Sequence, residues 1–136
     1  MKTVLVLCTG NSCRSQMAEG YLRLFAPDGT IVYSAGVETH GVNPTAIQVM
    51  KEDGVDISHH TSKHVRDFNN ISFDTVITVC DNAKEQCPYF PSATSRIHQT
   101  FPDPSKATGS PEEILNAFRS VRSNIKTFCR DFFAHA

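Results

Sequence analysis

Val4-Leu5-Val6-Leu7 runs directly into Cys8-Thr9-Gly10-Asn11-Ser12-Cys13-Arg14-Ser15, and the reading of this stretch decides the fold. Four apolar residues in a row, without alternation, predict a strand covered on both faces, as in a parallel sheet. The polar loop Cys8 to Arg14 follows. Ser15 is the predicted N-cap of a helix that runs through Phe25 with Ala18, Leu22 and Phe25 on one face, and Pro27-Asp28-Gly29 ends it. A buried strand, a short polar loop and an amphipathic helix form the opening half of a βαβ unit.

Outward from that stretch the alternation continues. Ile31 to Ala35 reads as a second strand, and Asn43-Pro44 as N-cap and first residue of a helix that Gly54 closes. Phe73 to Val79 is a third, doubly buried strand, and Ser95 to His98 a short fourth. Ser110-Pro111-Glu112-Glu113 supplies an N-cap, a proline at the first helical position and a glutamate for a capping box. Ile114, Phe118, Val121, Ile125, Phe128 and Phe132 then recur in steps of four and three, one buried stripe of a long last helix. The expected fold class is α/β, with ligands at the carboxyl ends of the parallel strands. The loop from Cys8 occupies that position.

Composition narrows the functions. A chain of 136 residues with 40% hydrophobic and 20% charged residues suits one soluble domain over residues 1–136, expected to act as a monomer. A net charge of -1 removes the electrostatic reason to expect nucleic acid as a partner. The apolar stretches fall far short of the roughly 20 residues a membrane-spanning helix needs, and the start is too short for a signal peptide, so a cytoplasmic protein with no membrane partner is expected. Five cysteines in such a chain point to catalysis, redox chemistry or metal rather than to structural disulfides.

In Cys8 to Ser15 a cysteine and an arginine are separated by five residues. Five intervening residues can wrap the backbone so that N–H groups from Thr9, Gly10, Asn11, Ser12 and Cys13 converge on a tetrahedral oxyanion at a helix N-terminus. Gly10 gives conformational freedom and Asn11 tolerates a left-handed turn. Arg14 offers a planar fork to two oxygens, Cys8 lies in the positive field as a thiolate nucleophile, and Ser15 is placed to steady its sulfur.

The run CTGNSCRSQMAE, Cys8 to Glu19, resembles the phosphate-binding loop of the low-molecular-weight protein tyrosine phosphatase superfamily, most closely its thioredoxin-using arsenate reductase branch. The resemblance covers essentially the whole chain. It implies a three-layer fold with a four-stranded parallel sheet in the order 2-1-3-4, and a general acid on an Asp-Pro loop, where Asp103-Pro104 stands. In that order the first and third strands are neighbours about 4.8 Å apart, so Cys8 and Cys80, each directly after its strand, share a rim.

The resemblance further implies a relay. Cys80 attacks Cys8 as arsenite leaves, and Cys87 then attacks Cys80 and carries the disulfide to the surface for thioredoxin. On a helix the seven-residue step from Cys80 to Cys87 spans roughly 10 Å, against the about 5.5 Å a disulfide wants between Cα atoms, so the segment of Asn82, Ala83 and Lys84 must change shape. Arsenate, phosphate and sulfate are the expected ligands, with no tightly bound cofactor and electrons from thioredoxin. Cys13 and Cys129 are read as inert. Zinc is disfavoured by the cysteine spacings, and His59, His60 and His64 read as solvated loop residues.

Two other functions stay open: a low-molecular-weight phosphatase whose extra cysteines only protect Cys8, and an oxyanion-binding or redox-sensing module. Departures from the phosphatase pattern are Gln16, where proline is common, and Ser105-Lys106, where tyrosines follow the Asp-Pro pair. Some reductase relatives hold potassium beside the loop with Asn, Glu, Ser and Asp. Asn11, Glu19 and Ser34 match that set, but Lys63 stands in place of the Asp, so its ammonium is expected to replace the ion.

Overall fold

A computed structural model describes residues 2–80 and 93–134. Four strands, β1 (Lys2–Cys8), β2 (Thr30–Gly36), β3 (Phe73–Thr78) and β4 (Ala93–His98), form one sheet in the order β2-β1-β3-β4. Every pairing is parallel, with Leu5 opposite Tyr33 on one side and Val76 on the other. This is the order expected from the resemblance.

Alternate residues of β1 feed two apolar layers. Val4, Val6 and Cys8 pack into the larger core with the three helices, while Leu5 and Leu7 join Ala35, Phe68, Phe73 and Val76 on the opposite face. Two buried faces are the reason the strand reads as an unbroken apolar run. On the second face Tyr33 lies 5.4 Å from Phe68 and 5.8 Å from Phe73, ring centre to ring centre.

The helices are α1 (Arg14–Phe25), α2 (Pro44–Glu52) and α3 (Pro111–Ala134). Asn43 caps α2 by accepting from the N–H groups of Thr45 and Ala46, and α3 begins with the expected capping box, in which Glu113 N–H bonds Ser110 Oγ and Ser110 N–H bonds Glu113 Oε1. Of the α3 stripe, Phe118, Val121 and Ile125 are buried and Ile114, Phe128 and Phe132 partly so.

The start of α1 differs from its expectation. The N-cap of α1 is Cys13, with no side-chain cap bond, and Ser15 lies inside the first turn. The hydroxyl of Ser15 is instead taken by the Asn11 amide, and an anion-binding loop leaves the helix N-terminus for its ligand. No described helix is long and apolar enough to cross a membrane.

The chain leaves β1 toward β2 on one side and later returns to β3 on the other. The carboxyl end of β1 is therefore the switch point of the sheet, where neighbouring connections diverge and leave a crevice.

Candidate active site

The loop after β1 is held by its carbonyls. Thr9 O accepts from Glu38 N–H at 2.9 Å, Gly10 O from His40 N–H at 3.1 Å, Ser12 O from Asn43 N–H at 3.1 Å and Cys13 O from Met17 N–H at 2.9 Å. Asn11 O accepts from Ser62 Oγ at 2.9 Å and from Gln16 Nε2 at 3.2 Å. Every carbonyl from Thr9 to Cys13 is thus satisfied from outside the loop. A trans peptide sets C=O and N–H on opposite sides, so the N–H groups of Gly10, Ser12, Cys13 and Arg14 are turned toward the cavity those residues line. Asn11 makes the bend with a φ of +48°, the left-handed value its residue type tolerates.

That cavity, about 380 Å³, is lined by Cys8, Thr9, Gly10, Ser12, Cys13 and Arg14, with His40, Asp103, Ser105 and Lys106 across its mouth. Arg14 is 3% exposed, and its guanidinium donates to Phe101 O at 3.3 Å and faces Asp103 Oδ2 at 3.6 Å. The other Asp103 oxygen accepts from Ser105 N–H at 3.0 Å and Ser105 Oγ at 2.6 Å, which fixes the carboxyl at the head of the short turn Pro104–Lys106. An acid and a guanidinium therefore flank the thiol of Cys8, a free cysteine.

Asn11 and Ser15 stand behind this cavity rather than in its lining. Asn11 Nδ2 donates to Ser15 Oγ and to Ser34 Oγ, both at 2.9 Å, and Asn11 Oδ1 accepts from Lys63 N–H at 2.7 Å. Ser34 Oγ in turn donates to Glu19 Oε1.

Burial and the Asp103 charge push the Cys13 thiol up to about 12, so it stays protonated beside the loop. Burial also pushes up the thiol of Cys129, which makes a weak contact with Ala18 O at 3.7 Å. Cys80 is fully buried two residues past β3 and is disulfide-bonded, whereas Cys8, Cys13 and Cys129 are free. Val79 N–H bonds Leu7 O at 3.0 Å, which sets the residues after β1 and β3 side by side. Cys87 lies outside the described residues, as do Asn82, Ala83 and Lys84.

Sequence reasoning missed four contributors. Gly36 ends β2 so close to the loop that an added Cβ would sit 2.6 Å from Thr9 O and 2.8 Å from Asn11 N, a space no side chain can share. The His40 ring lies over Gly10, where a Cβ would meet it at 2.6 Å. His60 is not the solvated residue its polar neighbours predict: its side chain is 4% exposed, with Nδ1 3.0 Å from Gln16 Oε1 and Nε2 3.7 Å from Glu19 Oε2. Burial holds its basicity below the ordinary imidazole value, against the pull of Glu19. Gln16 is fully buried beneath the loop. The adjacent pair His59-His60 carries no periodicity that marks one ring as buried, and only Gln16, a departure from the common proline, was a visible signal.

The residues beside the loop do not fit a potassium ion. Glu19 already receives the Arg23 guanidinium at 2.9 Å, the Ser34 hydroxyl and the Lys63 ammonium at 3.9 Å, and Lys63 Nζ donates to Thr61 O at 2.6 Å. A cation tethered to the chain stands where a free one would have to bind. Among the described residues no cluster of His, Cys, Asp and Glu could hold a metal ion.

Residues 3–136 match the model of the low molecular weight phosphotyrosine protein phosphatases. The chain belongs to this family. Within it, the chain is 49% identical to the arsenate reductase of Halalkalibacterium halodurans over 93% of this chain and 94% of that one. It is 48% identical to arsenate reductase 1 of Staphylococcus epidermidis over 98% and 96% of the two chains. Among solved structures, an arsenate reductase in the phosphate-binding state superposes with a TM-score of 0.78 at 34% identity, covering 99% of this chain and 98% of that one.

Proposed function

We propose that this member of the family reduces arsenate to arsenite through the cysteines Cys8, Cys80 and Cys87, with thioredoxin as electron donor, in the cytoplasm and in the service of arsenic detoxification. Arsenate enters the loop as a tetrahedral anion, held by the inward N–H groups and the Arg14 fork. Cys8 thiolate attacks arsenic and displaces one oxygen as water, for which Asp103 supplies a proton. Cys80 thiolate then attacks the Cys8 sulfur. The S–As bond breaks with its electron pair on arsenic, so As(V) becomes As(III), arsenite leaves, and a Cys8–Cys80 disulfide remains. Attack of Cys87 on Cys80 releases Cys8 as thiolate and leaves a Cys80–Cys87 disulfide, which the thioredoxin dithiol reduces with two electrons and no bound cofactor.

The observation that carries this reading is the pairing of an oxyanion loop with a second cysteine on the same sheet rim: Cys8 ends β1, Cys80 lies two residues past the adjacent parallel strand β3, and among the described cysteines Cys80 is disulfide-bonded while Cys8, Cys13 and Cys129 are free. The protonated state of Cys13 supports Cys8 as the nucleophile. A small inorganic anion is favoured over a phosphotyrosine because the cavity has no Phe, Tyr or Trp among its described lining residues.

Steady-state arsenite formation with thioredoxin, thioredoxin reductase and a nicotinamide cofactor tests the proposal. Multiple turnovers by Cys87→Ser overturn the relay, and sustained reduction by Cys80→Ser overturns the reductase itself. Turnover of a phosphotyrosine peptide without arsenate reduction selects the phosphatase, and binding without turnover selects the sensor.

A further inference from the structure

The hydrogen bonds behind the loop have a direction that a single backbone group fixes. Lys63 N–H can only donate, so the Asn11 atom it meets at 2.7 Å is the carbonyl oxygen Oδ1. Asn11 Nδ2 therefore donates to Ser15 and Ser34. The Gln16 amide faces Asn11 Oδ1 at 3.0 Å, Asn11 O at 3.2 Å and Thr61 O at 3.0 Å, three acceptors, so its nitrogen must lie there and its oxygen must turn to His60. An amide oxygen accepts only. His60 Nδ1, 3.0 Å away, must then carry a hydrogen in every protonation state.

We infer that His60 is a positioning residue for the oxyanion loop: its Nδ1–H orients Gln16, and Gln16 holds the left-handed turn at Asn11 with the Asn11 carbonyl drawn outward, away from the anion. Without the imidazole donor the Gln16 oxygen is buried and unpaired, and the amide regains a partner only by flipping or withdrawing, which takes one donor each from Asn11 O and Oδ1 and leaves them to Ser62 Oγ and Lys63 N–H. The anion then meets a loop whose turn at Asn11 is held by fewer donors, so its N–H groups are less firmly pre-turned. His60 touches no reacting atom, and its route to the loop runs through Gln16 rather than through the longer contact of Nε2 with Glu19 at 3.7 Å. This inference rests on reading the loop as an oxyanion site.

The test uses the reduced full-length protein and sulfate as probe, with protection of Cys8 from iodoacetamide, followed by mass spectrometry of the Cys8 peptide, as the readout. His60→Ala is expected to raise the sulfate concentration for half-protection about tenfold, the order of one buried hydrogen bond left unmade. Asn places an amide N–H near the position of Nδ1, so His60→Asn is expected to restore most of the protection, whereas His60→Gln, which mimics Nε2, is not. On a Gln16→Leu background His60→Ala is expected to add nothing. Should the alanine variant not fold, nitrogen-15 NMR of the wild-type imidazole decides, with the Nδ1–H tautomer expected near neutral pH. An Nε2–H tautomer overturns the inference, as does normal sulfate protection in folded His60→Ala. Failure of sulfate to protect the wild-type protein overturns the oxyanion reading itself, a result distinct from either.

Discussion

Two polar networks of similar size brace this molecule, and they differ in access to water. Behind the loop, Asn11, Gln16 and Ser34 are fully buried and Glu19 is 2% exposed. Across the seam between α2 and α3, Glu52 is 34% exposed, Arg119 33% and Lys126 41%, although the bonds are as short: Arg119 to Glu52 at 2.8 Å and Lys126 to Asp53 at 2.9 Å. Length alone does not rank them. In the seam each lost bond is replaced by water, and the strength of an exposed pair is screened by salt. Behind the loop a lost partner leaves a buried group with nothing to bond, and the surviving groups each have a fixed donor or acceptor sense.

The largest difference is expected from Asn11→Ala. It removes the acceptor of Lys63 N–H and the donor to Ser15 and Ser34, and puts alanine at a φ of +48°. The unmet groups and the left-handed backbone together are expected to cost about 3–5 kcal/mol. Urea unfolding measures that loss, and sulfate protection of Cys8 is expected to disappear with it. A change under about 1 kcal/mol would place the buried network in the same class as the exposed seam.

A smaller effect separates the networks by pH. His60 binds its second proton more weakly in the folded chain than in the unfolded one, because burial opposes the charge. Above the unfolded value of 6.5 both states are neutral and the contribution is fully present; as pH falls below 6.5 the unfolded chain protonates first, so stability declines until the folded imidazole also protonates. Glu19, Arg23, Lys63 and His59 all face this ring, and only Glu19 favours its charge. Urea midpoints measured from pH 7.5 downward are expected to fall, with a shallower fall in His60→Asn. An unchanged slope in that variant would assign the decline elsewhere.

How far each network was legible follows from the same distinction. The parallel sheet and the loop could be read because their signals are local: an unbroken apolar run, a Cys and an Arg five residues apart, and Pro and Glu at helix starts. The capping box at Ser110 and the Asn43 cap lie within three residues of their partners. Behind the loop the partners are 51 residues apart for Asn11 and Ser62 and 44 for Gln16 and His60, and nothing in residue type reveals which of two adjacent histidines turns inward. The Ser15 N-cap failed for a related reason. A serine before an apolar helix face looks like a cap, yet its hydroxyl is claimed by a side chain that curls back from the loop. Gly36 was invisible because its role is the space it leaves for a neighbouring backbone.

In the exposed seam, Glu52 offers the opposite pH signature. The hydrogen bond from Arg119 holds its carboxyl at about 2, below the ordinary 4.5, so its contribution is present above 4.5 and lost as pH falls toward 2. Arg119→Met is expected to move that acid limb upward while changing the neutral-pH urea midpoint little, and the change should shrink further in high salt. A large, salt-insensitive loss would mean that the seam is dry in solution.

The smallest effect is expected where the buried network meets a cation. Lys63 is 28% exposed, and burial lowers its basicity while Glu19 pulls the other way. Its ammonium is anchored on Thr61 O and lies beside Glu19, while Arg23 occupies the second Glu19 oxygen. A potassium ion entering this space would face two fixed positive charges and would have to displace a donor held by the chain itself, without the ordering cost a free ion bears. Replacing sodium by potassium at constant ionic strength and constant sulfate is therefore expected to leave both the arsenate-reduction rate and sulfate protection unchanged. A strong rise with potassium would show that the Lys63 ammonium leaves Glu19 in solution, and the buried network would then depend on its surroundings as the exposed seam does.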